Sequence, residues 1–168
     1  MTTLRVLVVA LLVSIGASST CSQTDDSLKD VKYDDTIPFV PPLTSGKVIS
    51  VYDGDTITVA SKMPWEGSPL YRFGVRLGGV DCPEIKGKSE NEKICAKLAK
   101  EHVRSLAYGK IVQLENVSVE KYGRILADVF VDGVSIGQSL LDNRLAVSYD
   151  GGKKQNPKDW MEYHMKKS

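Results

Sequence analysis

Between Lys47 and Val131 the chain is written as short β-rich runs cut apart by glycine, aspartate and proline. That rhythm favours a small domain built on strands. Lys47–Tyr52 and Thr56–Ser61 flank Asp53-Gly54-Asp55, a turn signal between two β-rich segments. Tyr71–Leu77 follows the Pro64–Pro69 loop, and Ile111–Val119 comes later. Arg124–Val131 alternates most clearly, with Ile125, Ala127, Val129 and Val131 on one face, and runs into an Asp132-Gly133 turn. Helical signals are interleaved with these strands. Ser89 and Glu92 make a capping-box pattern ahead of Ile94, Leu98 and Leu106, with the stop near Gly109. Ile136–Asn143 predicts a short second helix, and Pro157–Lys167 a third with Pro157 in its first turn. Together these signals predict an α+β fold, a five-stranded OB-type β-barrel with about three helices.

The first residues are of a different kind. Arg5 precedes Val6–Ile15, an apolar run broken only by Ser14, and small residues follow from Gly16 to Thr20. This is the layout of a secretory signal peptide over residues 1–20, too short to span a bilayer comfortably. Cys21 comes next, where bacterial lipoproteins carry an acylated cysteine, but Ser18-Ser19-Thr20 departs from the small-residue context such sites favour. A secreted or periplasmic product is therefore the leading expectation, with a lipid anchor through Cys21 as the alternative. Residues 21–45, rich in Ser, Thr and Asp and then in Pro38, Pro41 and Pro42, read as a flexible tether to a domain over residues 46–168. With Cys21 set aside, Cys82 and Cys95 form an even pair that an oxidising compartment can bridge if their Cα atoms come close enough. The sequence leaves both states open.

Apolar residues at 42% and charged residues at 26% exclude a wholly disordered chain. The formal net charge is only +1, and it divides as +1 over residues 1–21 (Arg5), −3 over residues 22–45 and +3 over residues 46–168. Bulk charge gives no sign of a nucleic-acid partner, so any recognition of phosphate has to come from local placement.

Three stretches concentrate acids and bases in β-rich surroundings: Asp53-Gly54-Asp55-Thr56, Arg76 through Glu84, and Lys121-Tyr122-Gly123-Arg124. Asp55 and Asp81 offer carboxylate oxygens to a hard cation such as Ca²⁺. Glu84 follows Asp81 past the stiffening Pro83, close enough to stand near that metal. Arg76 and Arg124 each present a planar fork suited to phosphate oxygens. Phosphodiester hydrolysis needs these parts: a metal, a base for water, and fixed positive charge for the phosphorane-like transition state. His102 and His164 lack matching ligand partners in the sequence and read as structural or solvated. Asn116-Val117-Ser118 matches a glycosylation sequon, relevant only to a eukaryotic secretory route.

In order and spacing, Asp-Gly-Asp-Thr, Arg-Leu-x-x-Val-Asp-x-Pro-Glu and Lys-Tyr-Gly-Arg resemble the staphylococcal nuclease (thermonuclease) family from about Lys47 to Tyr149. The resemblance implies a five-stranded OB barrel with three helices, usually monomeric, that cleaves DNA and RNA with little sequence preference to leave 3′-phosphate and 5′-hydroxyl ends. It implies Asp55, Asp81 and the backbone carbonyl of Cys82 as calcium ligands, and Glu84 as general base, directly or through water. Arg76 and Arg124 would hold the scissile phosphate and stabilise its transition state. Tyr122 would stand at the substrate-binding edge, and Tyr149 is a candidate for stacking on a base. Departures are visible: Cys82 replaces a threonine, Arg144 stands where a glycine commonly ends the second helix, and the 63–70 loop is long. The alternative function is a non-catalytic nucleic-acid-binding module on the same barrel. Such modules typically lack the set Asp55, Arg76, Asp81, Glu84 and Arg124, all present here.

Overall fold

Strands form where the β-branched runs predict them. They are β1 (Ser45–Val51), β2 (Thr56–Lys62), β3 (Leu70–Leu77), the two-residue β4 (Val80–Asp81), β5 (Ile111–Val119), β6 (Ile125–Val131), and the short β7 (Val134–Ser135) and β8 (Val147–Ser148). The computed structural model describes residues 26–166, so the export-signal reading of residues 1–20 and the anchor reading of Cys21 fall outside the described residues. The chain divides into two units, Met1–Ile37 and Pro38–Ser168. The described part of the first contains two exposed 3₁₀ turns, Asp26–Leu28 and Tyr33–Asp35. In the second of these, Asp35 Oδ2 accepts from the Lys32 amide at 2.9 Å.

In the second unit the strands run in the order β3-β2-β1-β5-β6, neighbours antiparallel, and β6 returns to β3 in parallel to close the barrel. Closure pairs Val75 with Ile125, Arg76 with Leu126 and Leu77 with Ala127. Along β6 the odd-numbered residues are buried and the even-numbered ones half-buried, as the period-two pattern requires. Val48, Ile57, Val59, Val75, Val112 and Val129 fill the interior. Leu43, ahead of the first strand, is already buried, and the Leu114 amide donates to the Thr44 carbonyl at 2.9 Å.

Three helices cover the barrel. The first, α1 (Glu90–Ala107), buries Cys95, Ala96, Ala99, Val103 and Ala107 along one stripe. Its N-cap is Ser89, which accepts from the Glu92 amide at 3.1 Å. Only that half of the expected capping box forms. The Glu92 carboxylate instead accepts from the Lys88 amide at 3.0 Å and the Glu84 amide at 3.5 Å, so it braces the turn that carries Glu84. The second helix, α2 (Ile136–Asp142), ends at Arg144 in the left-handed region at φ 52, with the Leu145 amide donating to Leu140 at 2.9 Å. A glycine at this position would avoid a steric cost of about 1 kcal/mol.

The third, α3 (Trp160–Met165), starts three residues later than Pro157 suggests. Asp159 is the better cap: its carboxylate takes the Glu162 amide at 2.9 Å and the Asn91 side chain at 2.7 Å, tying α3 to α1. Both histidines serve packing. His102 Nε2 meets Ser139 Oγ at 2.8 Å between α1 and α2, and His164 Nδ1 meets the Asn143 carbonyl at 3.1 Å. Among the described residues no helix is long and apolar enough to cross a membrane.

Cys82 and Cys95 are both free and buried. They serve different contacts: Cys82 packs under the 53–55 turn, whereas Cys95 lies on α1 toward Asp159. The contact beneath Cys82 depends on a missing side chain. A Cβ on Gly54 would come within 2.6 Å of the Ala99 Cβ and 2.7 Å of the Cys82 Sγ. Gly54→Ala is therefore expected to cost about 1–3 kcal/mol in urea unfolding. Gly74→Ala, where the nearest side-chain atom is Arg124 Cγ at 3.9 Å, serves as the control. Equal midpoints for the two variants would show that the close approach at Gly54 does not hold.

Candidate active site

The site starts at the β1–β2 turn. The amides of Tyr52 and Asp53 both point at the Thr56 carbonyl, at 2.9 and 3.4 Å, which closes the loop tightly. The Asp55 carbonyl then accepts from the Leu77 amide at 2.8 Å, fixing this turn to the end of β3. So anchored, Asp55 is 4% exposed. Its Oδ1 takes the Thr56 hydroxyl at 3.0 Å, and its Oδ2 takes the Cys82 amide at 3.3 Å and Arg76 Nη1 at 2.8 Å.

Arg76 uses the other arm of its fork on Asp81. Its Nη2 lies 2.8 Å from Asp81 Oδ1 and 3.4 Å from the Val80 carbonyl. Asp81 is held by the β4–β8 pair, opposite Val147, and is 1% exposed. Its second oxygen, Oδ2, is buried without a hydrogen-bond partner, and so is Asp53 Oδ1. Orphaned buried carboxylate oxygens are costly. Both lie on the Asp55 side of the cleft, where they leave uncompensated negative potential.

Barrel closure supplies the opposite wall. Arg124 directly precedes Ile125, which is paired with Val75, so the two arginines approach from neighbouring strands. The turn before it is closed by Glu120 N–H to the Arg124 carbonyl at 2.9 Å and Gly123 N–H to the Glu120 carbonyl at 2.8 Å, with Gly123 at φ 80. Arg124 Nε donates to Glu120 Oε1, and Nη1 donates to Thr56 Oγ1 at 3.4 Å. Nη2 has no protein partner among the described residues.

These elements enclose a cleft of about 430 Å³. Asp55, Arg76, Cys82, Glu84, Tyr122, Arg124 and Tyr149 all line it. Asp81 does not reach its surface; it sits behind, touched by Arg76 and by Lys154. Tyr122 is exposed at the rim with the Lys121 ammonium 4.9 Å from its ring centre. The Tyr149 ring lies 5.9 Å from the Arg76 guanidinium and shares its wall with a second cleft of about 480 Å³. On the far side, Glu84 also borders a groove with Lys86, Lys88 and Lys158. Asp53, Glu120 and Lys154 belong to the cleft as well, although motif reading did not select them. Asp53 opens the Asp-Gly-Asp-Thr motif without having been given a role there, and Glu120 adjoins the Lys-Tyr-Gly-Arg motif. Lys154 lies far along the chain, outside every motif, and no local pattern singles it out.

Electrostatics follow from this packing. Burial raises the Asp55 pKa most, Arg76 pulls it back, and nearby Asp53 pushes it up again, leaving it at about 6. Burial disfavours the Arg76 charge, but Asp55 and Asp81 more than offset that and hold the guanidinium protonated. Burial also pushes the Cys82 thiol up, reinforced by the three aspartates, so it is neither a nucleophile nor a thiolate ligand. Among the described residues no group of three or more His, Cys, Asp or Glu side chains is gathered to hold a metal. Any cation here relies on carboxylates, backbone and water.

The raised Asp55 pKa has a definite sign in stability. Between its unfolded value of 3.8 and about 6 the folded state binds more protons than the unfolded chain, so stability falls as pH rises through that window. Asp55→Asn is expected to stabilise the chelator-treated protein at pH 8 and to lose that advantage at pH 4. Urea unfolding at both pH values checks this, and a variant less stable than wild type at pH 8 would contradict it.

The chain is similar to curated proteins named as endonucleases. A probable endonuclease of Schizosaccharomyces pombe is 31% identical over 99 residues, which cover 54% of this chain and 43% of that protein. Uncharacterized endonucleases of Escherichia coli and of Escherichia coli O157:H7 are 29% and 28% identical over 106 residues, covering 62% of this chain and 61% of each relative. The chain thus spans less than two thirds of the length of these relatives. The profile of the staphylococcal nuclease homologue family matches residues 74–167, from within β3 through Arg76, Glu84 and Arg124 to α3, and the chain belongs to that family.

Proposed function

We propose that this protein is a calcium-dependent nuclease that hydrolyses phosphodiester bonds in DNA and RNA with little sequence preference, and that it acts after export. The observation that carries this reading is the barrel closure: it brings two guanidinium groups and a half-exposed carboxylate, Glu84, to one cleft above two buried aspartates. The relatives' names as endonucleases support the same class of activity.

The donor set fits a hard cation. Asp55 and Asp81 supply carboxylate oxygens, the Cys82 carbonyl supplies a neutral one, and Asp81 Oδ2 has no other partner. Calcium ions accept such oxygen-only sets completed by water. Bound there, the ion would polarise the phosphoryl group and position water.

The chain's own residues do the rest. Glu84, its side chain 55% exposed, is accessible to water and takes its proton as the water attacks phosphorus. Arg76 is held rigid by Asp55 and Asp81, so its charge is already oriented before substrate arrives. Arg124 keeps Nη2 unengaged for a phosphate oxygen. Tyr122 and Tyr149 offer ring faces to the flanking bases. Lys86, Lys88 and Lys158, in the groove beyond Glu84, favour a polynucleotide over a mononucleotide, by local rather than overall charge.

The test is degradation of plasmid DNA and RNA by the purified protein, first with calcium and then with excess chelator. Degradation that stops with chelator is expected. Arg124→Ala should lower turnover roughly 10³–10⁵-fold, as for other phosphoryl-stabilising arginines. Glu84→Gln should keep calcium-dependent nucleotide binding and lose most of the activity. A protein that binds DNA without cutting it under either condition would instead be a binding module, and full activity in Glu84→Gln would remove that residue as the base.

A further inference from the structure

Lys154 comes from the segment between β8 and α3, outside every motif, and its ammonium lies between two acidic side chains. Nζ is 3.1 Å from Asp81 Oδ1 and 2.9 Å from Glu84 Oε1. We propose that Lys154 is a tethered placeholder for the metal, bridging Asp81 and Glu84 until a divalent cation displaces it and thereby frees Glu84. The inference rests on the reading of Asp81 as a ligand and Glu84 as the base.

Charge balance explains why a cation stands there. Asp53, Asp55 and Glu84 line the cleft with Asp81 buried behind it, and Arg76 is engaged by two of these four carboxylates, Asp55 and Asp81. Lys154 supplies the second counter-charge. Its pKa shows the same balance: burial lowers it, but the bonds to Glu84 and Asp81 prevail and raise it.

The two cations on Asp81 differ in how readily they leave. The Arg76 side chain is 13% exposed and cannot withdraw without stranding two buried carboxylates. Lys154 is 44% exposed, carries a flexible four-carbon stem, and can return its ammonium to water at little cost. A divalent ion on Asp81 would sit within a few ångströms of that ammonium, and like charges at such range repel strongly. Lys154 therefore yields and Arg76 stays.

Release has a second consequence. The Glu84 carboxylate has Lys154 as its only protein partner among the described residues. One ammonium thus holds a metal ligand and the base together, so arrival of the metal and availability of the base are a single event. A base engaged by a lysine is idle; a base released by metal binding is ready only when the electrophile is in place.

Calcium titration by calorimetry on the full chain tests this, using wild type, Lys154→Met, Lys154→Arg and Lys153→Met. Lys154→Met is expected to bind calcium about tenfold more tightly, equivalent to about 1.4 kcal/mol. Lys154→Arg, which keeps a competing charge, and Lys153→Met, which removes a neighbouring charge without these contacts, should stay near wild type. Thermal melts add a second readout: Lys154→Met should melt lower than wild type in chelator, and the gap should shrink in saturating calcium. A merely structural ion pair would lower both melts and leave calcium affinity unchanged.

Equal or weaker calcium binding by Lys154→Met overturns the inference, as does an equal gain in Lys153→Met, which would mean bulk charge alone. If wild type and Lys154→Met bind calcium alike and both cut DNA in calcium, the placeholder role falls while the nuclease reading stands. If neither binds calcium, the calcium reading falls and the placeholder with it.

Discussion

Arg76 is the interaction on which the site depends. Its guanidinium spans from Asp55 on the β2 turn to Asp81 on β4, at 2.8 Å to each carboxylate, and all three groups are largely withdrawn from water. A buried arrangement of this kind adds little net stability relative to apolar packing, yet removing Arg76 would cost about 3–5 kcal/mol, because two carboxylates would be left buried and uncompensated. The arrangement therefore constrains geometry more than it contributes stability. It keeps two carboxylates side by side that would otherwise repel, and it fixes a cation in the cleft wall.

The surrounding fold serves that constraint. The parallel β3–β6 contact, the one non-antiparallel pairing in the barrel, brings Arg124 alongside Arg76. Gly54 lets the β1–β2 turn press against Cys82 and α1, so Asp55 Oδ2 meets the Cys82 amide. Glu92 braces the turn from which Glu84 projects. Each device acts on the backbone under a functional side chain, and together they limit how far the carboxylates can drift when the local charge changes.

The site also carries unrelieved costs. Asp81 Oδ2 and Asp53 Oδ1 are buried without partners, and burial holds the Asp55 carboxyl near a pKa of about 6. A protein selected for stability alone would have removed such features with apolar substitutions. Beside two arginines and a lysine, these costs accompany a preset electrostatic field.

Much of this was legible before the structure. Period-two alternation placed β6 to within a residue, because one face of a barrel strand must be apolar. The Asp-Gly-Asp turn, the Arg76–Glu84 stretch and Tyr122-Gly123-Arg124 named six of the cleft's lining residues, since short turns tie chemistry to local spacing. Local patterns failed where distant groups compete. Asp159 replaced Pro157 as the start of α3 because Asn91 and the Glu162 amide reward its carboxylate. Glu92 left the capping box because unpaired amides near Glu84 needed an acceptor. Cys82 and Cys95 remain thiols because one packs under Gly54 and the other toward α3. The amino-acid sequence thus determined the strands, the family and the residue types of the site, which are properties of near neighbours in the chain. Tertiary structure decided which charges meet: Arg76 with two aspartates, and Lys154 with Asp81 and with Glu84, the latter 70 residues away in the chain. Ion pairing depends on distances across the barrel, and no local spacing encodes those.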